Sequence, residues 1–126
     1  MDGTGIFRSR TRPPHEVGPV LRASVESGEV YDDPSEDLLF MLFEDMGHSD
    51  GSFLIVGRTL DPTGQTYVQS APSLDGGFVV EYREGGPDRH YATRAPDIRV
   101  AHGLVTGWAF ELPNWNTGSV WTRVRH

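Results

Sequence analysis

The sequence predicts a single α+β domain, in which an antiparallel sheet of about four to five strands is flanked by two helices. Three observations lead to this fold class: a helical stretch with clear start and stop signals, a series of short apolar segments separated by turn residues, and a second helical stretch after Pro96. The chain has 126 residues, which corresponds to one domain because domains usually contain about 100–200 residues.

The first helix is predicted from its capping residues. The segment Asp33-Pro34-Ser35-Glu36 places a carboxylate at the N-cap, a proline at the first helical position and a glutamate at the third. Apolar residues then recur at helical spacing: Leu38, Leu39, Met41, Leu42 and Met46. Gly47 is a typical residue for ending a helix, so we expect the helix to stop there.

Short apolar or alternating segments predict the strands of the sheet. These segments are Phe53–Val56, Gln65–Ser70, Phe78–Arg83 and His90–Thr93. Turn sequences separate them, such as Asp61-Pro62-Thr63-Gly64, whose proline and glycine occupy the positions that a type I turn prefers. Because tight turns join antiparallel neighbours, the segments predict a meander.

A second helix is predicted to begin near Pro96-Asp97 and to end at Leu112-Pro113. Its apolar stripe contains Ile98, Ala101, Leu104 or Val105, and Trp108, which assigns Trp108 to the core. Gly103 and Gly107 each cost about 1 kcal/mol relative to alanine in a helix. Either they weaken the helix, or they let it lie close on the sheet. A last strand is predicted at Ser119–Val124.

The N-terminal region differs in composition from the rest of the chain. Residues 1–28 are predicted to form a mobile arm, made locally basic by Arg8, Arg10 and Arg12, with a possible short strand near residues 18–25. Residues 29–126 then form the domain. The start lacks the pattern of a secretion signal, and the longest apolar stretches fall well short of the roughly 20 residues that span a membrane. We expect a cytoplasmic protein without membrane contact.

Composition excludes several classes of site. The formal net charge is −7, from 18 acids and 11 arginines without any lysine, which opposes non-specific binding to nucleic acid. The chain has no cysteine, so disulfides, thiolate catalysis and cysteine-based zinc sites are absent. A P-loop would need a lysine. No cofactor or metal is predicted.

One segment matches a catalytic motif, but its context does not. Gly47-His48-Ser49-Asp50-Gly51 fits the pattern G-x-S-x-G, in which a strand precedes the serine and a helix follows it. Here the order is reversed, so we interpret the segment as a turn. None of the histidines forms an i, i+4 pair typical of helical zinc sites. The sequence therefore predicts that the protein is not an enzyme.

An acidic run is the most distinctive local feature. Between Glu29 and Asp50 there are eight acids and no basic residue, and Glu44 and Asp45 oppose the helix dipole at its C-terminal end. The run is either a solvated surface or a docking surface for a basic partner. Trp115, in a polar loop, is either an interface anchor or a lid on the core. The candidate partner-binding residues are Asp32, Asp33, Glu36, Asp37, Glu44, Asp45, Asp50 and Trp115.

The order of elements resembles a known family. A capped helix containing Pro34–Leu39, a strand containing Val79–Arg83, a helix containing Leu104–Trp108 and a final strand with Trp121 are similar to small actinobacterial proteins related to the Imm1 class of immunity proteins. The resemblance covers roughly residues 33–124. It implies a mostly-β or α+β domain that neutralises a polymorphic toxin, often a deaminase, by stoichiometric binding. The expected partner is therefore a protein, with a basic toxin domain as the candidate.

A different function is also compatible with the predicted fold. A pocket between the sheet and a helix is a common place for a small molecule to bind. The alternative hypothesis is a small-ligand-binding or regulatory module.

Overall fold

The computed structural model describes residues 18–125, and the predicted basic residues Arg8, Arg10 and Arg12 lie outside them. In this part of the chain, two helices accompany one antiparallel sheet of seven strands, more than the four to five predicted. The elements are β1 (Leu21–Val25), β2 (Val30–Asp32), α1 (Glu36–Met46), β3 (Leu54–Arg58), β4 (Thr66–Pro72), β5 (Phe78–Glu84), β6 (His90–Ala95), α2 (Ile98–Ala109) and β7 (Thr122–Arg123). The strand order is β2-β1-β3-β4-β5-β6-β7.

The additional strands come from the region before α1. β1 lies near residues 18–25, where the sequence allows a short strand. It pairs with β2 on one side and along its whole length with β3 on the other. A tight turn joins β1 to β2, with Gly28 at φ +94° and its N–H donating to the Val25 carbonyl at 2.9 Å. The sheet therefore begins at Leu21, within the segment predicted to be an arm.

The start of α1 differs from the prediction. Ser35, not Asp33, is the N-cap, and its hydroxyl accepts a hydrogen bond from the Leu38 N–H at 3.0 Å. Asp33 instead accepts from the N–H groups of Val20 at 2.8 Å and Leu21 at 2.9 Å, so it orients the start of β1. The end of α1 is confirmed, because the Gly47 N–H donates to the Phe43 carbonyl at 3.0 Å.

Helix α2 is shorter than predicted at its C-terminal end. It begins after Asp97, whose carboxylate accepts from the Val100 N–H at 3.0 Å, and it ends at Ala109. Arg58 of β3 donates to the carbonyls of Trp108 at 2.7 Å and Ala109 at 3.2 Å. Since the last turn of α2 contains no basic residue, Arg58 supplies from the sheet the cation that a helix C-terminus favours.

The core lies between the two helices and one face of the sheet. Phe43 of α1 meets Phe78 of β5 edge to face, with ring centroids 5.7 Å apart. Trp108 is 2% exposed, which confirms its predicted place in the core. His102 of α2 joins the helices, because its Nε2 lies 2.9 Å from the Glu36 carbonyl oxygen. Within residues 18–125, neither helix is long and apolar enough to cross a membrane.

The end of the chain forms less sheet than predicted. The segment predicted as a strand at Ser119–Val124 forms a strand at Thr122 and Arg123, opposite Ala92 and Tyr91, and the Val124 N–H donates to the His90 carbonyl at 2.8 Å. The hydroxyl of Thr93 instead donates to the Val120 carbonyl at 2.7 Å. At Val120 a side-chain hydrogen bond thus takes the place of backbone pairing, so the last strand is shorter than predicted.

Candidate functional site

Helix α1 presents an acidic stripe to the outside. Its buried face consists of Leu39, Leu42, Phe43 and Met46. The opposite face carries Asp37, Met41, Glu44 and Asp45, all exposed. Met41 lies four residues from Asp37 and Asp45 and three from Glu44, spacings at which helical side chains are neighbours. We call these four residues the acidic stripe. Met41, 55% exposed, gives the stripe an apolar centre.

The predicted acidic residues fall into two groups. Asp32 and Asp33 serve the fold: Asp32 pairs with Arg22 at 2.7 Å, and Asp33 accepts from the start of β1. The hydrogen bond from Arg22 also lowers the pKa of Asp32. The second group makes no side-chain hydrogen bond or ion pair within residues 18–125, and it comprises Glu36, Asp37, Glu44, Asp45 and Asp50.

A pocket adjoins the C-terminal end of the acidic stripe. It has a volume of about 260 Å³ and lies between the β1–β2 turn, the last turn of α1 and the start of β3. Apolar side chains, carboxylates and hydroxyl groups line it: Val25, Leu42, Met46 and Phe53; Glu26, Glu29 and Asp45; Ser27, Tyr31, Ser49 and Ser52. We call it the acidic pocket. No basic residue lines it in the part of the chain that the structure describes.

Negative charge dominates the acidic pocket. The Tyr31 hydroxyl donates to Glu29 Oε1 at 3.1 Å. This hydrogen bond raises the pKa of Tyr31, with further contributions from burial and from the charges of Glu29 and Asp45. The phenol therefore ionises less readily, chiefly because its proton is shared with the Glu29 carboxylate.

Sequence reasoning missed part of this pocket. Glu26 and Tyr31 come from the β1–β2 hairpin, which the sequence did not predict. The Ser27-Gly28 pair is the signal that marks the hairpin turn. Leu21–Val25 alternates apolar and polar residues, but this segment is short and β2 has only three residues, so the local pattern alone does not indicate a hairpin.

Trp115 lies over the core at the opposite end of the strands. Its ring packs edge to face against Tyr82 and Trp121, with centroid distances of 5.1 and 5.6 Å. A Cβ atom added to Gly107 would lie 2.5 Å from the Cβ of Trp115. Gly107 therefore allows this loop, rather than the sheet, to approach α2. Of the two roles left open for Trp115, its contacts are those of a lid.

A second cavity borders the lid. It has a volume of about 300 Å³ and lies between the sheet and α2. Its lining residues are Arg58, Glu84, Trp108, Glu111, Leu112 and Trp115. The indole N–H of Trp108 is buried and has no hydrogen-bond acceptor within residues 18–125.

On the other face of the sheet, His90 is held by two charged neighbours. Its Nε2 lies 2.6 Å from Glu81 Oε1, and its Nδ1 accepts a hydrogen bond from Arg83 Nε at 2.9 Å. Since a guanidinium can only donate, Nδ1 is the acceptor and the ring proton is on Nε2. Both ring nitrogens are thus engaged, an arrangement that orients the side chain.

The segment that fits G-x-S-x-G lies in the turn between α1 and β3. Its Ser49 is exposed, and the Ser49 carbonyl accepts from the Ser52 hydroxyl at 2.6 Å. Within residues 18–125, no group of three histidine, aspartate or glutamate side chains is placed to hold a metal ion.

No known protein family, curated protein or solved structure matches this chain.

Proposed function

We propose that this chain is a binding protein of the immunity class, which neutralises a toxin by stoichiometric association. The observation that carries the proposal is the acidic stripe, whose carboxylates are exposed and make no ion pair within residues 18–125. A basic surface on the partner would complement it. Complementary charge speeds the encounter of two proteins and selects among partners.

The position of the acids in α1 supports an intermolecular role. Glu44 and Asp45 lie at the C-terminal end of the helix, whose last turn contains no basic residue. A negative charge there disfavours the helix by about 0.3–1 kcal/mol. A basic partner would reverse the sign of this interaction. Met41 lies between the acids and offers an apolar contact at the centre of the surface, as in other protein interfaces.

The proposal is tested by neutralising the acids. The partner is first captured from the native host with the tagged full chain, identified by mass spectrometry and tested for toxicity that the chain suppresses. The variant Glu36→Gln/Asp37→Asn/Glu44→Gln/Asp45→Asn should then bind it at least about tenfold more weakly, mainly through slower association, because each rim pair contributes roughly 0.2–1 kcal/mol. Surface plasmon resonance measures both rates.

A matched pair of double variants separates the effect of charge in the acidic stripe from the effect of the net charge. Glu44→Gln/Asp45→Asn and Glu84→Gln/Asp88→Asn change the net charge equally, but the second pair lies at the opposite end of the strands. We expect only the first to slow association strongly, and its fold to be no less stable than that of the unmodified chain. Unchanged affinity in the quadruple variant would remove the acidic stripe from the mechanism, and the lack of a toxic partner would refute the immunity function.

A second candidate function is a small-ligand-binding or regulatory module. It is favoured by the cavity beside Trp108, whose buried indole N–H has no acceptor within residues 18–125. An unsatisfied buried donor costs about 1–3 kcal/mol, which a bound acceptor group would recover if neighbouring side chains move to let it reach the nitrogen. Thermal unfolding with a panel of metabolites should show a stabilising compound, and Trp108→Phe should abolish that shift while the Glu84→Gln/Asp88→Asn chain keeps part of it. If no compound raises the melting temperature, this candidate fails.

A further inference from the structure

We propose that the acidic pocket receives an arginine side chain of the protein partner. This inference rests on the proposed function and names the group that the partner inserts. It adds to the acidic stripe a concave site built from three separate elements: the β1–β2 hairpin, the last turn of α1 and the start of β3.

The walls of the acidic pocket match the stem of a long basic side chain. Val25, Leu42, Met46 and Phe53 line it and offer apolar contacts to methylene groups. Arginine and lysine bury such stems along apolar surfaces while their charged ends remain at the polar rim. A purely apolar side chain would fill the same space but would leave the rim carboxylates partly dehydrated and without a partner.

The rim determines the charge of the occupant. Glu26 and Glu29 come from the hairpin, and Asp45 comes from α1. No basic residue within residues 18–125 lines the pocket, so this part of the chain supplies no cation to its carboxylates.

The distribution of acceptors favours arginine over lysine. Carboxylates on two elements and the hydroxyl groups of Ser27, Ser49 and Ser52 surround the pocket. A guanidinium carries five donors in a fixed plane and can bind acceptors on several sides at once, whereas an ammonium concentrates its charge at one point. We therefore assign the pocket to arginine.

The experiment uses the full chain labelled with ¹⁵N and three blocked tripeptides, Gly-Arg-Gly, Gly-Lys-Gly and Gly-citrulline-Gly. Citrulline has the shape of arginine without its charge. The arginine peptide should produce saturable amide shifts at Ser27, Ser49 and Phe53, and the citrulline peptide should produce none. The lysine peptide should bind several-fold more weakly than the arginine peptide because it lacks the planar fork.

Two variants locate the binding. Asp45→Asn should weaken the arginine peptide about tenfold, the effect of losing one hydrogen bond between charged groups. Asp88→Asn, which removes the same charge from an exposed position outside the pocket, should leave the affinity unchanged. The amide spectrum of each variant shows whether it is folded.

Three results would overturn the assignment: equal shifts with citrulline, equal affinity of the Asp45→Asn chain, or shifts confined to amides outside the pocket. The test needs no toxin. A failure here with a captured toxin in hand refutes the pocket and leaves the immunity function standing, whereas saturable arginine binding without any toxic partner refutes only the immunity function.

Discussion

At the scale of single residues, the two glycines of α2 occupy different environments. Around Gly103 there is open space, and an added Cβ would meet no atom within 4 Å. At Gly107 the same atom would meet the Cβ of Trp115 at 2.5 Å. From the sequence, these glycines either weaken the helix or let it lie close on the sheet. The structure shows a close approach to the sheet at neither, because Gly103 lies at an open position and Gly107 accommodates the loop that follows the helix.

This difference predicts opposite effects of the same substitution. Gly103→Ala should raise the free energy of unfolding by about 0.5–1 kcal/mol, because alanine favours the helix and fits the open space. Gly107→Ala should lower it by about 1–3 kcal/mol, because the methyl group displaces Trp115 from the core. Urea unfolding followed by tryptophan fluorescence measures both. Two variants of equal stability would contradict the placement of Trp115 on α2.

Asp33 shows how one side chain can satisfy different partners. Its position before Pro34 favours an N-cap role, but its φ of +47° turns the carboxylate towards Val20 and Leu21. Ser35 then caps the helix. Both residues are good caps by type, so the choice between them depends on where β1 lies, which local sequence does not specify.

At the scale of elements, the β3–β4 turn is held by one carboxylate. Asp61 accepts hydrogen bonds from the Thr63 N–H at 2.9 Å and from the Thr66 hydroxyl at 2.7 Å. These interactions, above all those with Thr63, lower the pKa of Asp61 to about 2. The predicted turn is confirmed, since the Gly64 N–H donates to the Asp61 carbonyl at 3.2 Å.

The lowered pKa of Asp61 predicts a pH dependence of stability. A folded-state pKa below the ordinary 3.8 means that the charged carboxylate stabilises the fold above about pH 4 and that this contribution disappears as the pH falls through about 2. The stability difference between the unmodified chain and Asp61→Asn should therefore shrink between about pH 4 and pH 2. Urea titrations across this range test it. The pKa of Asp75 is also about 2, but its contribution is the same in both chains and drops out of the difference. If this stability difference stays constant, the hydrogen bonds to Asp61 do not stabilise its charged form.

The two helices end in different ways. The C-terminus of α2 is stabilised by Arg58, which also places its guanidinium carbon 4.1 Å from the Trp108 ring centroid. The C-terminus of α1 has Gly47 but no cation, and Glu44 and Asp45 are exposed there. A cation from a partner would thus stabilise the C-terminus of α1 as Arg58 stabilises that of α2.

At the scale of the whole molecule, the candidate sites lie at opposite ends of the strands. The acidic pocket borders Phe53, just before β3, whereas the cavity beside Trp108 borders Arg58 at the other end of β3. Tests of the two proposed functions therefore address separate surfaces. Substitutions at one site should not change binding at the other, because the two sites share no lining residue.

Much of this arrangement follows from local patterns. The α+β class, both helices and the β3–β6 meander were predicted, because capping residues, periodic apolar residues and turn glycines act over a few neighbouring positions. Of the candidate site, Asp37, Glu44 and Asp45 were predicted from charge alone. Glu26 and Tyr31 were not, because the hairpin that carries them gains its stability from pairing with β3.

The sequence by itself determined which segments are helices, where most turns fall and that the first helix is acidic. Only the tertiary structure decided that β1 and β2 join the sheet, that Asp33 serves a strand, that Arg58 ends a helix about 50 residues away, and that Trp115 covers the core. The physical reason is range: capping and periodicity are set by adjacent residues, whereas strand pairing, burial and capping from a distance depend on contacts that exist only once the chain has folded.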